Sequence, residues 1–321
     1  MRNKKFVVIG GGTGVSNILR GLKLFTSEIT AIVTMADDGG GSGLLRREMG
    51  ILPPGDLRNA LVALANSSSS MEKLLQFRFK RGPLEGQNFG NLLIASLTEI
   101  YQDFETAIYE AAKVLNISGR VFPVTLDNVH LEAEFENSNR CIGESKIGEV
   151  AFREKTRIKR LSNFPRRAQI FSRAEEAILD ADAIILGPGS LYTSVISNLI
   201  VKGVPEAIRK SSARVYYIGN IMTEKGETDS YSISDHIRAI KDHGGDFIDR
   251  VLINTKVPEA ELLKRYEEKN QTYIDISKED MDYLKSENMK AIMGNFINDD
   301  QDCIRHSSIR ICGKIMEDLD S

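Results

Sequence analysis

The sequence predicts an α/β fold: a Rossmann-like, doubly wound, mostly parallel sheet with helices on both faces and a small β-rich insertion. Three observations carry this. Short apolar runs recur, each followed by a turn and then by apolar residues at helical spacing, the mark of βαβ units. Glycine-rich or polar loops follow several of those runs, where an open α/β sheet presents its ligand-binding loops. Between about residues 120 and 165 the apolar period becomes two, which marks antiparallel strands.

Phe6 to Ile9 is a short apolar run of the kind a buried parallel strand needs. Val15, Ile18, Leu19 and Leu22 then fall on one helix face, and Ile29 to Val33 forms a second strand. The unit is a right-handed βαβ crossover. Asp56 opens a helix through Leu57, Ala60, Leu61 and Leu64, and Ser67 to Ser70 reads as a loop. Asn88 to Tyr101 reads as an apolar helix with Leu92, Leu93, Ala95, Ser96 and Leu97 largely buried. Phe104 to Leu115 is another, after a break at Gln102 and Asp103.

In the insertion, Val121, Val124, Val129, Leu131, Ala133 and Phe135 alternate with polar residues, and Lys155 to Leu161 does so more weakly. Asp127-Asn128 and Asn137 to Asn139 supply turns. The α/β pattern resumes near Ala168, with strands at Ala183 to Leu186, Val215 to Ile218 and Val251 to Ile253. Helices are expected at Leu191 to Ile200, Ile233 to Lys241, Pro258 to Glu267 and Ile309 to Leu319; Ile274, Ile276 and Ile292 suggest later short strands. The expectation is one nucleotide-binding domain over residues 1–321 with the insertion at 120–165.

Composition narrows the class. The 321 residues are 41% hydrophobic and 27% charged, which excludes a disordered or collagen-like chain. A net charge of -3 argues against a nucleic-acid binder. Cys141, Cys303 and Cys312 are odd in number and lack metal spacing, so a reducing cytoplasm is expected. No apolar run approaches the ~18 residues of a membrane helix. The run ending at Ile9 is too short for a signal peptide.

The sharpest motif is Gly10-Gly11-Gly12-Thr13-Gly14, between the first strand and helix. Phosphate binding at a helix start needs backbone N–H groups free to approach oxygens, and glycine removes the obstructing Cβ. Thr13 can cap the helix or donate its hydroxyl. The pattern departs from the dinucleotide fingerprint at Val15 or Asn17 and lacks the lysine of a Walker A loop. Ala36-Asp37-Asp38-Gly39-Gly40-Gly41-Ser42-Gly43 follows the second strand. Asp37 and Asp38 can hold a divalent ion such as Mg2+ beside a nucleotide diphosphate; the alternative is an acidic surface turn. Ser42 and Gly43 continue that loop.

Leu52 to Arg58 begins with two prolines and Asp56, which is simply a good helix start. Asn88-Phe89-Gly90-Asn91 opens an apolar helix with two amides, and capping alone is the competing reading. Gly187-Pro188-Gly189-Ser190 ends another strand, and Gly219 to Thr228, with Asn220, ends the next. Tyr266 is a candidate for stacking on a base and Arg305 for meeting a diphosphate, each with a structural alternative. The histidines are poor catalytic candidates: His236 and His243 share a helix face that reads as solvated. No HExxH, GxSxG or nucleophilic cysteine signature occurs.

The ordered set GGGTG, ADDGGGSG, LPPGDLRNAL, NFGNLLIASL, GPGSLYTSV and GNIMTEKGETD resembles the gluconeogenesis factor family across nearly the whole chain. That family is related to the 2-phospho-L-lactate transferases. The resemblance implies a cytoplasmic, UDP-sugar-binding regulator, needed for cell shape and cell-wall synthesis during growth on gluconeogenic carbon sources. It implies cell-wall synthesis proteins as partners and leaves a homo-oligomer open. No reaction comes with it. Two alternatives stay open: a metal-assisted transferase using Asp37 and Asp38 on a nucleotide diphosphate-linked substrate, and a nicotinamide-dinucleotide binder.

Overall fold

The computed structural model describes residues 3–298 and 302–321. Seven strands make the main sheet: β1 (Phe6–Gly10), β2 (Ile29–Val33), β3 (Arg120–Pro123), β7 (Ala183–Leu186), β8 (Arg214–Ile218), β9 (Arg250–Asn254) and β10 (Lys290–Gly294). Their spatial order is β10-β9-β8-β7-β1-β2-β3, and every pairing is parallel. Every residue of β1, β2 and β7 is buried, which for a parallel sheet means that both faces are covered by helices. From β1 the chain steps outward to β2 and β3, and later strands step out the other way from β7. The strand order therefore reverses between β1 and β7, the crevice where open α/β sheets bind ligands.

A second sheet is antiparallel, in the order β5-β4-β6, from β4 (His130–Phe135), β5 (Arg140–Ile142) and β6 (Ile158–Phe164). It carries its own helix, Glu144–Glu154. Here the structure corrects one boundary. Arg120–Pro123 was expected in the insertion but is the edge strand of the main sheet, paired with β2. Its alternating burial belongs to an edge strand, and the same alternation marks β4, so the pattern does not separate the two.

Other expectations shift for local reasons. Gly40–Met49 is helical although it opens with glycines. Ser67 to Ser70 is not all loop, because Ser68 accepts an N–H bond from Met71 and caps a helix Ser69–Gln76. The helix Phe89–Tyr101 is amphipathic, with Ser96 exposed and Asn91, Ile94 and Ala95 buried. Leu191–Ile196 is a π-helix that tightens to an α-turn at Ser197–Leu199. Ile274 and Ile276 form no strand; neighbouring Tyr273 makes one isolated bridge to Met222. His236 is fully buried, its Nδ1 2.8 Å from the Ser232 carbonyl, and His243 Nε2 accepts the Leu161 N–H, so neither lies on a solvated face.

The final helix, Ser308–Asp320, is fixed by one carboxylate. Asp318 is buried and accepts hydrogen bonds from Arg214, Tyr216, Arg250 and Lys290 at 2.6 to 3.1 Å, from residues of β8, β9 and β10. Burial pushes its carboxyl up, but these donors hold it down at about 2. Among the described residues no helix is long and apolar enough to cross a membrane.

Candidate functional site

A cleft of about 870 Å3 opens at the carboxyl ends of β1, β7 and β8. Gly11, Gly12, Thr13, Gly14, Asn88, Gly189, Ser190, Asn220, Tyr266 and Arg305 all line it. Two of these loops touch: a Cβ on Gly14 would lie 2.3 Å from the Pro188 carbonyl oxygen. Asn220 donates to the Gly189 carbonyl at 2.9 Å and accepts from the Tyr217 hydroxyl, which locks the third loop to the second. Tyr266 is held by its hydroxyl, which accepts the Ile304 N–H at 3.1 Å.

Asp37, Asp38, Ser42, Gly43, Gly90, Asn91 and Gly187 do not line this cleft. Asp37 accepts the Gly39 N–H, and Asp38 accepts the Ser145 N–H at the start of the insertion's helix. The two carboxylates therefore point to different partners. Among the described residues, no three His, Cys, Asp or Glu side chains converge to hold a metal ion. Asn91 donates to Ser42 Oγ at 3.3 Å, Gly43 lets the Asp38 carbonyl approach, and Gly90 makes room for the Arg58 stem.

The helix starts around the cleft are already occupied. The Asp56 carboxylate lies at the start of the first helix, where Gly12, at φ +66°, helps to hold its charge. Asn88 Oδ1 accepts the Asn91 N–H. At the π-helix, Glu227 accepts from the Tyr192 and Thr193 N–H groups and from the Thr193 hydroxyl. A carboxylate at a helix N-terminus meets both the unpaired donors and the dipole.

Positive charge comes instead from side chains that sequence reasoning missed or discounted. Arg20, Arg58 and Arg78 line the cleft with Arg305, against the carboxylates of Glu72 and Glu224. Arg58 sits in the first turn of the helix Gly55–Leu64, where its sequence looks like an ordinary helix start. Arg20 lies two turns along the first helix from Gly12, a spacing that could have flagged it.

Beside the cleft, sharing Ser190 and Glu224, lies a second cavity of about 580 Å3 lined by Glu144, Thr193 and Glu227. Burial, then the charges of Asp37 and Glu227, push the Glu144 carboxyl up to about 8. Burial and the Glu224 charge raise Glu227 to about 7, and burial with the Asp37 charge raises Asp56 to about 6. One wall of the site is thus acidic and reluctant to ionise, and the other carries guanidinium groups.

Residues 6–297 match the family model described as 2-phospho-L-lactate transferase CofD. A Clostridium acetobutylicum protein called "Putative gluconeogenesis factor" is 46% identical over 320 residues, spanning 99% of this chain and 70% of that protein. The chain belongs to the gluconeogenesis factor family. The Bacillus subtilis gluconeogenesis factor is 41% identical, across 98% of this chain and 97% of its own length. A crystal structure of a Bacillus halodurans family member superposes with a TM-score of 0.93 at 42% identity, covering 98% of this chain and all of that one. The sheet order and the antiparallel insertion described above are therefore those of a family member.

Proposed function

We propose that the chain is a nucleotide-sugar-binding regulator that takes a UDP-sugar in the cleft. In this reading Tyr266 stacks on the base, Asn220 and Ser190 hydrogen-bond the sugar or ribose, and arginines meet the diphosphate. The observation that carries it is the joining, in one 870 Å3 cleft at the strand-order reversal, of a fixed tyrosine with four arginines. The histidine in the cleft, His306, is half-buried, bonded at 3.0 Å to the Gly219 carbonyl and held down to about 4 by desolvation, a poor proton shuttle at neutral pH.

The family's name and the absence of a recognisable nucleophile favour a regulatory role. It would act in the cytoplasm, on cell-wall synthesis proteins, during growth on gluconeogenic carbon sources. Calorimetry with UDP-sugars tests it: saturable binding without nucleotide release over hours supports it, and no binding to any of them rejects it. A second reading is a transferase acting on a nucleotide diphosphate-linked substrate. It is favoured by the match to the 2-phospho-L-lactate transferase model and by Glu144, a carboxyl neutral at pH 7 close to Asp37 and Asp38. Mg2+ would then sit on Asp37 or Asp38 with the substrate's phosphates completing its shell. Turnover of a UDP-sugar with Mg2+ would establish this second reading. Enhanced NADH fluorescence would instead indicate a dinucleotide binder.

A further inference from the structure

We infer that Arg58 and Arg78 together hold the ligand's phosphate groups, and that the glycine loops shape the floor of the cleft without supplying its anion-binding donors. This rests on the reading of the cleft as a nucleotide-diphosphate site and names the groups that make it one.

The first line of argument is by occupancy. The Asp56 carboxylate sits at the start of the first helix beside Gly12, the Asn91 N–H is taken by Asn88, and the Tyr192 and Thr193 N–H groups by Glu227. A phosphate arriving at either the first helix or the π-helix would meet a carboxylate already in place. The carboxyl already in place meets the donors and the dipole there, so the usual advantage of the site to an arriving phosphate is reduced.

The second line concerns the guanidiniums. Arg20 is neutralised by Glu72 at 3.0 Å. Arg58 donates Nη2 to Asn59, while its Nε is buried with no hydrogen-bond partner. A buried donor without an acceptor is costly, and a phosphate oxygen would satisfy it. Burial and then the Arg78 charge disfavour protonation of Arg58, while Asp56 and Asp37 favour it. The two guanidiniums therefore sit within electrostatic reach of each other on one wall. An anion placed between them turns that repulsion into two attractions.

Both side chains are built into position. Gly90 lets both the Leu75 carbonyl and the Arg58 stem come close, since a Cβ there would lie 2.6 Å from the carbonyl oxygen and 2.8 Å from Arg58 Cδ. Arg78 pairs in an antiparallel bridge with Asn88, and its Nη1 donates to the Gly86 carbonyl. The segment Asn88 to Asn91 thus serves the ligand by holding two arginines.

Calorimetry on the full chain with inorganic pyrophosphate, UDP and uridine tests this. Wild type should bind pyrophosphate and UDP. Arg78→Gln should weaken both at least tenfold and leave uridine within twofold. Arg78→Lys should recover part of the loss. Arg78 is exposed, so its variant keeps the fold even if Arg58→Gln does not. Wild-type pyrophosphate affinity in Arg78→Gln, or no pyrophosphate binding by the wild type, would overturn the inference. Arg78-dependent pyrophosphate binding with no affinity for UDP-sugars would reject the nucleotide-sugar reading and leave the arginine pair standing. UDP-sugar binding indifferent to both arginines would do the reverse.

Discussion

Asp56 fills the space that a side chain on Gly11 would need: a Cβ there would lie 2.5 Å from Asp56 Oδ2 and 2.9 Å from Thr34 Cγ2. The glycine is required by a protein carboxylate and not by an absent ligand. Gly11→Ala should therefore destabilise the fold itself, by about 1–3 kcal/mol, as overpacking in a tight site does. Urea denaturation should show a lower midpoint at unchanged slope. Wild-type stability would mean that Asp56 swings away freely.

Glu144 gives a pH prediction. Its carboxyl titrates near 8 in the folded chain against an ordinary 4.5, so the unfolded chain ionises it more readily. Its contribution to stability is fully present below about pH 4.5 and is lost as pH rises through 8. Glu144→Gln removes the ionisable group and should stabilise the protein at pH 8 by up to about 4 kcal/mol, with little gain at pH 4.5. Thermal or urea unfolding of both proteins at the two pH values decides it. An equal difference at both would assign the effect to packing.

Asp318 has the opposite sign. Held down to about 2, it stabilises the fold above its ordinary value of 3.8, and that support disappears as pH falls through 2. Replacing it leaves the Arg214, Arg250 and Lys290 charges without their shared acceptor. Asp318→Ala should cost about 3–5 kcal/mol, in the range for breaking a buried pair. A loss under 1 kcal/mol in urea would show that solvent screens the cluster.

Tyr266 separates affinity from fold. Stacking of a base on an aromatic ring is worth about 1–3 kcal/mol. Tyr266→Leu should therefore weaken UDP binding by roughly five- to 100-fold while leaving pyrophosphate binding unchanged. Tyr266→Phe keeps the ring but drops the bond to the Ile304 N–H, so it should retain most of the affinity. Equal losses for UDP and pyrophosphate would remove the stacking role.

Most of the parallel strands were legible because their apolar runs are short and continuous, several with glycine close behind; β3 was not, its alternation matching that of the insertion. Ala183–Leu186 and Ile29–Val33 fall where the sequence places them. The loops that meet at the cleft were legible for the same reason. What each glycine faces was not. Gly12 stands with only Ser194 Oγ nearby, at 3.8 Å from its would-be Cβ, whereas Gly11, Gly14, Gly43 and Gly90 each oppose a protein atom within 3 Å. A sequence shows that a Cβ is missing and not what takes its place. Arg78 escaped notice because it stands in no strand-end glycine motif; Glu227 stands in the loop Gly219 to Thr228, but nothing in that loop's sequence says which helix start its carboxylate reaches. Tertiary contacts bring Arg78 beside Asn88 and Glu227 beneath Thr193.

The Asp318 cluster also bears on the order in which the molecule is made. Arg214 leaves the ribosome 104 residues before the carboxylate that balances it, and Arg250 leaves 68 residues before. Without Asp318, the amino-terminal ends of three neighbouring strands bring Arg214, Arg250 and Lys290 together without the acceptor they share. The pairing of that carboxylate with β8 and β9 is therefore a long-range contact, closed only once a helix far along the chain has docked.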